Sequence, residues 1–387
     1  MDFTSALCEQ FSLQAWQVDH VIQLLDEGNT IPFIARYRKE AHGALDDQLL
    51  REISERLDYL RGLEKRREEV RALIDTAGAL TEELSSALDR AATLAELEDL
   101  YRPYRPKRKT RASVAREKGL QPLADAIFAQ ECGGEYPIDM AERFVDPEKG
   151  VDTPEDALQG AQDIIAEYLS DDAGIRKRLR VIAMSQGILE TKAANPDEDS
   201  VYAQYYEFQE PVARIAGHRV LAIDRGEREG FLKVSLSLAI DKAMNIVHSV
   251  ALKGNSPCEE AVREAAADAY TRLIFPSIER EVRAALTETA AEQAIKVFSV
   301  NLRHLLMQPP VKGRVAMGLD PGYRTGCKVA VVDATGRVLD TAVVYPTHSQ
   351  AKVEEAKKTV SALIRKHGVR VIAIGNGTAS KETELFT

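Results

Sequence analysis

Asp320 stands in the stretch VAMGLDPGYRTGCKVAVVD, residues 315–333, where an apolar run ends in an acid and a turn bearing Gly322 and Gly326 follows. A carboxylate at a strand end beside a glycine turn suits divalent-metal or phosphate chemistry, because glycine lets the backbone approach a ligand closely. Two-metal phosphodiester cleavage asks for more. Carboxylates from several strand ends must hold two ions about 3.5–4 Å apart across the attacked phosphate. Asp320 alone does not meet that need. Nucleotide binding through a glycine hairpin fits DPGYRTG, residues 320–326, only in part, and the chain has no G-x-x-x-x-G-K-[ST] loop. The favoured reading is structural: Asp320 orders the turn through backbone N–H groups, Gly322, Gly326 and Gly375 serve tight backbone geometry, and Asp320 is at most a vestigial catalytic residue.

A second chemistry is carried by charge. The 387-residue chain has a net charge of −10, which argues against uniform coating of nucleic acid. Yet residues 102–118 hold eight basic side chains against the single acid Glu117. Arg102, Arg105, Lys107, Arg108, Lys109 and Arg111 are the candidates for contacting phosphates, a contact that positions a nucleic acid without reading its sequence. Tyr101 and Tyr104 lie among them, where aromatic rings would meet bases or sugars. The competing reading is a basic connector that docks on the protein's own acids. A second cluster, IRKRLR at 175–180, follows Asp171 and Asp172 and is read as intramolecular. Cys8, Cys132, Cys258 and Cys327 are isolated, and the histidines show no metal-ligand spacing, so neither a metal nor a cofactor is implied.

The elements that must position these residues follow from periodicity. Thr93 with Glu96 opens a helix, and Pro103 and Pro106 forbid its continuation, so 102–118 is expected to be a loop. Upstream, apolar residues crowd a short helix at 16–25, an apolar turn follows at 31–34, and a long amphipathic helix starts near Leu45. Thr153, Pro154 and Asp156 start another helix. Tyr202, Tyr205, Tyr206 and Phe208 are expected in a core rather than as a base platform. Residues 218–229 are ambiguous between helix and strand, 231–238 alternate as a strand, and 277–307 read as one helix of about 45 Å leading to a sheet domain. Strands are expected at 315–319, 328–333 and 338–345, the last two joined by the turn Asp333-Ala334-Thr335-Gly336. A helix from Ser349 closes at Gly368, and 369–374 form a strand parallel to an earlier one. No apolar run is long enough for a membrane span and no secretory start is seen, so the expected location is cytoplasmic.

Three strands entering a parallel βαβ unit form the opening of the ribonuclease-H-like fold. GLDPGYRTG at 318–326 with IGNGTASKETE at 374–384 resembles the YqgF-type domain of the Tex family of bacterial transcription accessory proteins. IPFIARYRKEAHGALDD at 31–47, LYRPYRPKRKTRASVAREKGLQPLA at 100–124 and HRVLAIDRGEREGFLKVSL at 218–236 carry the same resemblance in the same order. It implies a multidomain, mainly α protein, with helical N-terminal and central regions followed by the first half of an α/β ribonuclease-H-like domain. The expected divisions are 1–200, 201–312 and 313–387, the middle one mainly helical with a short strand. In resolvase-like relatives a second acid ends the strand after the first helix, and here Gly375-Asn376 takes that place. The resemblance further implies a fragment lacking helix-hairpin-helix and S1 modules, and a non-catalytic RNA-binding accessory factor. Its partners would be RNA through the basic segment, and RNA polymerase or ribosome-associated transcription complexes. A metal-dependent nuclease and a protein-interaction scaffold are the alternatives.

Overall fold

Apolar residues spaced three and four apart build most of this protein before any sheet is formed. A computed structural model describes residues 2–387 apart from 107, 108, 132, 255 and 310, so Lys107 and Arg108 of the basic segment lie outside the described residues. Residues 31–34 form part of a helix, α1 (Ile31–Tyr37), rather than a turn; Pro32 is tolerated in its first turn, where its missing N–H has no intrahelical partner. Helix α2 (Asp47–Thr76) buries Leu50, Ile53, Leu57, Leu60, Leu63, Val70 and Ile74 along one stripe. Its first half packs with Leu7, Val18, Val21 and Ile34, and its second half with Leu88, Leu97 and Tyr101. One helix thereby serves two cores.

The segment that follows supplies the elements around the basic residues: α3 (Leu94–Tyr101), α4 (Arg111–Glu117), α5 (Pro154–Asp171) and α6 (Ala173–Gln186). Thr153 and Asp156 form the reciprocal cap that starts α5. Ala157, Ala161, Ile164, Ile165 and Leu169 of α5 are buried in the largest core, with Leu123, Ile127, Ile175, Val262 and Ile278. Gly160 is needed there: a Cβ would come within 2.4 Å of Leu120 Cδ1 and 3.3 Å of Ala115 Cβ. Its absence lets α4 lie directly against α5.

Beyond α6 a sheet appears where a single strand was expected. β1 (Ile188–Ala193) is central and pairs antiparallel with β2 (Glu207–Pro211) on one side and β3 (Leu232–Ser237) on the other. β1 therefore joins residues on both sides of position 200. The ambiguous segment is a helix, α7 (Gly217–Arg228). Tyr202 and Tyr205 are buried with Leu189, Ile223 and Leu232, as their size favours. A π-helical turn (Ala269–Ile274) leads into α8 (Phe275–Leu306).

Residues 1–295 and 296–387 form separate compact units. The second holds β4 (Ala316–Asp320), β5 (Cys327–Val332), β6 (Val338–Val344), α9 (Gln350–His367) and β7 (Val371–Ile374), with sheet order β6-β5-β4-β7. β4 and β7 are parallel and the other pairs antiparallel. Asp333 makes the β5–β6 turn by accepting from Thr335 N at 2.8 Å and Arg337 N at 3.0 Å. Met317, Leu319, Val329 and Val331 pack beneath Ala356, Val360 and Leu363 of α9. The chain is thus mainly α with a partial α/β end. Among the described residues no helix is long and apolar enough to cross a membrane.

One ion cluster ties β6 to the end of α9. Asp340 accepts from Lys366 Nζ at 2.8 Å and lies 3.1 Å from His367 Nε2. These partners bring its carboxyl from the ordinary 3.8 down to about 2. A carboxyl depressed by folding adds stability above its unfolded value and loses it as pH falls through the folded one. Thermal melts of wild type and Asp340→Asn between pH 5 and pH 2 should therefore differ at the upper end, with the gap closing from about pH 4 downward.

Candidate nucleic-acid interface

The base of the basic segment is anchored by buried charge. Thr93 Oγ1 accepts from Glu96 N at 3.2 Å and Glu96 Oε2 accepts from Ala92 N at 2.9 Å, which fixes the start of α3. Asp99, in the last turn of α3, meets two arginines of α6: Arg176 Nε at 2.7 Å and Arg180 Nη2 at 2.7 Å. The same arginines hold Glu281 of α8, through Arg176 Nη2 at 2.5 Å and Arg180 Nε at 2.9 Å. Ser277 Oγ accepts from Arg176 Nη2 at 3.0 Å. Burial pushes the Glu281 carboxyl up, but Arg176 and Arg180 outweigh it and hold it below its ordinary range. The 175–180 cluster is therefore intramolecular, although its acids are Asp99, Glu281 and, for Lys177, Glu96 at 2.7 Å; Asp172 instead caps α6 by accepting from Ile175 N at 2.7 Å.

From this anchor the chain does not run as one loop to residue 118. Arg102–Tyr104 form a 3-10 turn, and Thr110 starts α4 by exchanging hydrogen bonds with Ser113 at 3.0 and 2.8 Å. Pro103 and Pro106 stop one helix, but they do not prevent another from starting four residues later. Arg111 and Arg116 consequently sit on a helix. Tyr101 is 5% exposed and belongs to a core with Leu63 and Leu97, so it has no face to offer a base.

The basic side chains divide by what they touch. Arg105 pairs with Glu98 and lies over the Tyr101 ring, 5.5 Å from its centroid. Glu98 is shared, since its other oxygen receives Arg66 Nε at 2.7 Å. Arg102 Nε is 3.5 Å from Asp171, and burial followed by the nearby charge of Arg176 pushes its guanidinium down. Arg116 pairs with Glu167 at 3.3 Å, and Lys118 donates to Gly150 O at 2.6 Å. Lys109 and Arg111 are exposed and have no hydrogen-bonded or ion-paired side-chain partner among the described residues.

Arg102, Arg105 and Arg111 line one cavity of about 260 Å³ together with Arg272, Asp163 and Glu167. Arg272 comes from the π-helical turn, grips Asp268 and reaches Asp163 at 3.1 Å. Burial raises the Asp163 carboxyl against the pull of Arg272 and Arg111. Only the Asp268–Arg272 spacing of four residues was readable in the sequence; Asp163, Glu98 and Asp171 joined the site through tertiary packing.

Asp320 lies apart from these residues, in the second unit. Its side chain is 75% exposed, its cationic neighbour is Lys328 Nζ at 3.7 Å, and it makes no hydrogen bond to the turn among the described residues. The turn is ordered by its glycines. A Cβ on Gly322 would meet Thr325 Oγ1 at 2.8 Å, and Gly326 has φ +75° with Tyr345 ring atoms 2.7 Å from a Cβ position. Gly375 N donates to Leu319 O at 2.8 Å, and a Cβ there would stand 3.7 Å from Asp320 Oδ1. Glycine thus occupies the place facing Asp320 across the parallel pair. Glu382 is engaged elsewhere, accepting from the Tyr323 hydroxyl at 2.8 Å.

Three family models match in order: the Tex-like protein N-terminal domain over 1–75, the Tex central region-like model over 134–298, and the Tex protein YqgF-like domain over 314–387. The chain is 45% identical to the uncharacterized protein YdcI of Bacillus subtilis, over 99% of its own length and 54% of that relative. It is 40% identical to Protein tex of Bordetella pertussis, over 98% of this chain and 50% of the relative. It is 33% identical to the human S1 RNA-binding domain-containing protein 1, over 100% of this chain and 40% of the relative. The chain spans about half the length of the bacterial relatives and less of the human one.

Removing one member of a buried ion network leaves the others charged and unpaired. Asp99→Ala is expected to lower the unfolding free energy of the first unit by about 3–5 kcal/mol, read from urea titration of the full chain.

Proposed function

Because this chain belongs to the Tex family, we propose that it is a non-catalytic, RNA-binding transcription accessory factor whose basic segment at 102–111 contacts RNA phosphates. The observation that carries this reading is the convergence of Arg102, Arg105 and Arg111 on one cavity rim. Arg111 and neighbouring Lys109 make no side-chain hydrogen bond or ion pair among the described residues, although Arg111 lies close enough to Asp163 to pull on its carboxyl. Cations left unpaired in a chain of net charge −10 form a local site for a polyanion. Two relatives are named as a transcriptional accessory protein and as an S1 RNA-binding domain protein, which favours RNA over other polyanions. Contacts of this kind are made to phosphates and sugars, so binding is indifferent to base sequence. A transcription complex containing RNA polymerase, or one associated with the ribosome, is the protein partner we favour, in the cytoplasm.

The second unit takes no catalytic part in this proposal. Two-metal hydrolysis needs convergent carboxylates, and Asp320 faces Gly375 and Lys328 instead. Incubation with labelled RNA, single-stranded DNA or branched DNA in magnesium or manganese should yield no cleavage. Cleavage abolished by Asp320→Asn would establish the nuclease alternative.

Salt dependence tests the RNA reading. Affinity for single-stranded RNA should fall linearly on a log–log plot against salt, and Lys109→Ala with Arg111→Ala should reduce the slope by roughly 1.4, at about 0.7 per lost phosphate contact. Unchanged affinity and slope would remove the segment from the RNA interface and leave a protein-interaction scaffold.

A further inference from the structure

Resting on the reading of the basic segment as a phosphate-contacting surface, we infer that Glu98 and Asp171 act as internal phosphate mimics, holding Arg105 and Arg102 in ion pairs that an incoming RNA phosphate displaces. Binding is then an exchange of one anion for another. Lys109 and Arg111, free of such pairs among the described residues, make the first contact, and Arg105 and Arg102 follow.

Exposure separates the pairs that exchange from those that do not. Arg176 is 0% exposed, and its partner Asp99 has a side chain 6% exposed, so no phosphate reaches them. Arg105 is 49% exposed and Arg102 33%, and both border the same cavity as Arg111. At Glu98 the local arrangement also keeps the exchange from stranding a charge. When Arg105 leaves, Glu98 retains Arg66, whose Nε lies 2.7 Å from its other oxygen. Arg105 remains placed by the Tyr101 ring beneath it. Arg102, half-buried beside the like charge of Arg176, needs an anion against it throughout, and a singly charged phosphodiester supplies one as the Asp171 carboxylate gives way. A guanidinium matches the oxygens of phosphate and carboxylate with the same fork, so the geometry is reusable.

The test is fluorescence anisotropy of a labelled single-stranded oligouridine with the 387-residue chain, comparing wild type, Glu98→Gln, Asp171→Asn, Arg105→Ala and the Glu98→Gln/Arg105→Ala pair. Melting curves verify folding, and should one acid variant fail to fold, the other carries the test. Each acid variant is expected to bind about 1.5- to 5-fold more tightly, the range set by typical exposed ion pairs. The gain from Glu98→Gln should vanish in the Arg105→Ala background. A control, Glu155→Gln on α5, removes the same charge without releasing an arginine of this segment and should change little.

Unchanged affinity in both acid variants, while Arg105→Ala weakens binding, would overturn the exchange and leave the RNA reading standing. A gain that persists without Arg105, or is matched by Glu155→Gln, would also overturn it, because net charge alone would then account for it. If wild type and every variant fail to bind, both the exchange and the RNA reading fall.

Discussion

The first unit depends on one buried constraint: Arg176 and Arg180 of α6 must be neutralised by Asp99 of α3 and Glu281 of α8. Arginine does not escape burial by losing its proton, so a buried guanidinium commits the fold to bring acids to it. Here the acids come from helices 77 and 105 residues away in sequence. Such a network is weak evidence for net stability, since desolvation opposes the attraction, but it is strongly directional. It fixes the orientation of α3, and the basic segment leaves α3 three residues after Asp99. The position of Arg102 and Arg105 is therefore set by a network whose centre, Arg176 with Asp99, is buried.

Charge in this protein has two roles, divided by burial. At Arg67 the guanidinium is inside, with Nε and Nη2 reaching the carbonyls of Leu88 and Ala91 at 2.9 Å, and at Arg176 Nε and Nη2 are likewise used on the protein itself while Nη1 has no hydrogen-bond partner among the described residues. Among the described arginines of 102–118 the same side-chain type is half-buried and paired at Arg102 and Arg105, without an ion pair at Arg111, and paired again at Arg116. A local surplus of cations survives because α4 starts at Arg111, held close to α5 through Gly160, which turns that side chain toward the cavity rim rather than along an extended loop.

In the second unit the hydrogen-bond ladder places Asp320 at the end of β4 and Gly375 beside it after β7. The sheet keeps the geometry in which strand ends meet, while the side chains there are one carboxylate, one lysine and a glycine. Gly322 and Gly326 keep the turn closed because no Cβ fits against Thr325 or Tyr345.

Local hydrogen bonding made much of this legible in the sequence alone. The caps at Thr93 and Thr153, the Asp333 turn, the helix through residues 277–306 and the order of strands in the second unit are each written within a few residues, and the family motifs lie where the chain matches its relatives. Tertiary structure decided the remainder. β1 and β2 carry too little alternation to be seen without their partners, and α4 begins with a Thr–Ser cap rather than the usual Thr–Glu pattern. Tyr101 turned inward because burying its ring outweighs displaying it. Which arginines are anchors and which are free depends on acids brought from distant helices, and charge pairing at that range leaves no periodic trace along the chain.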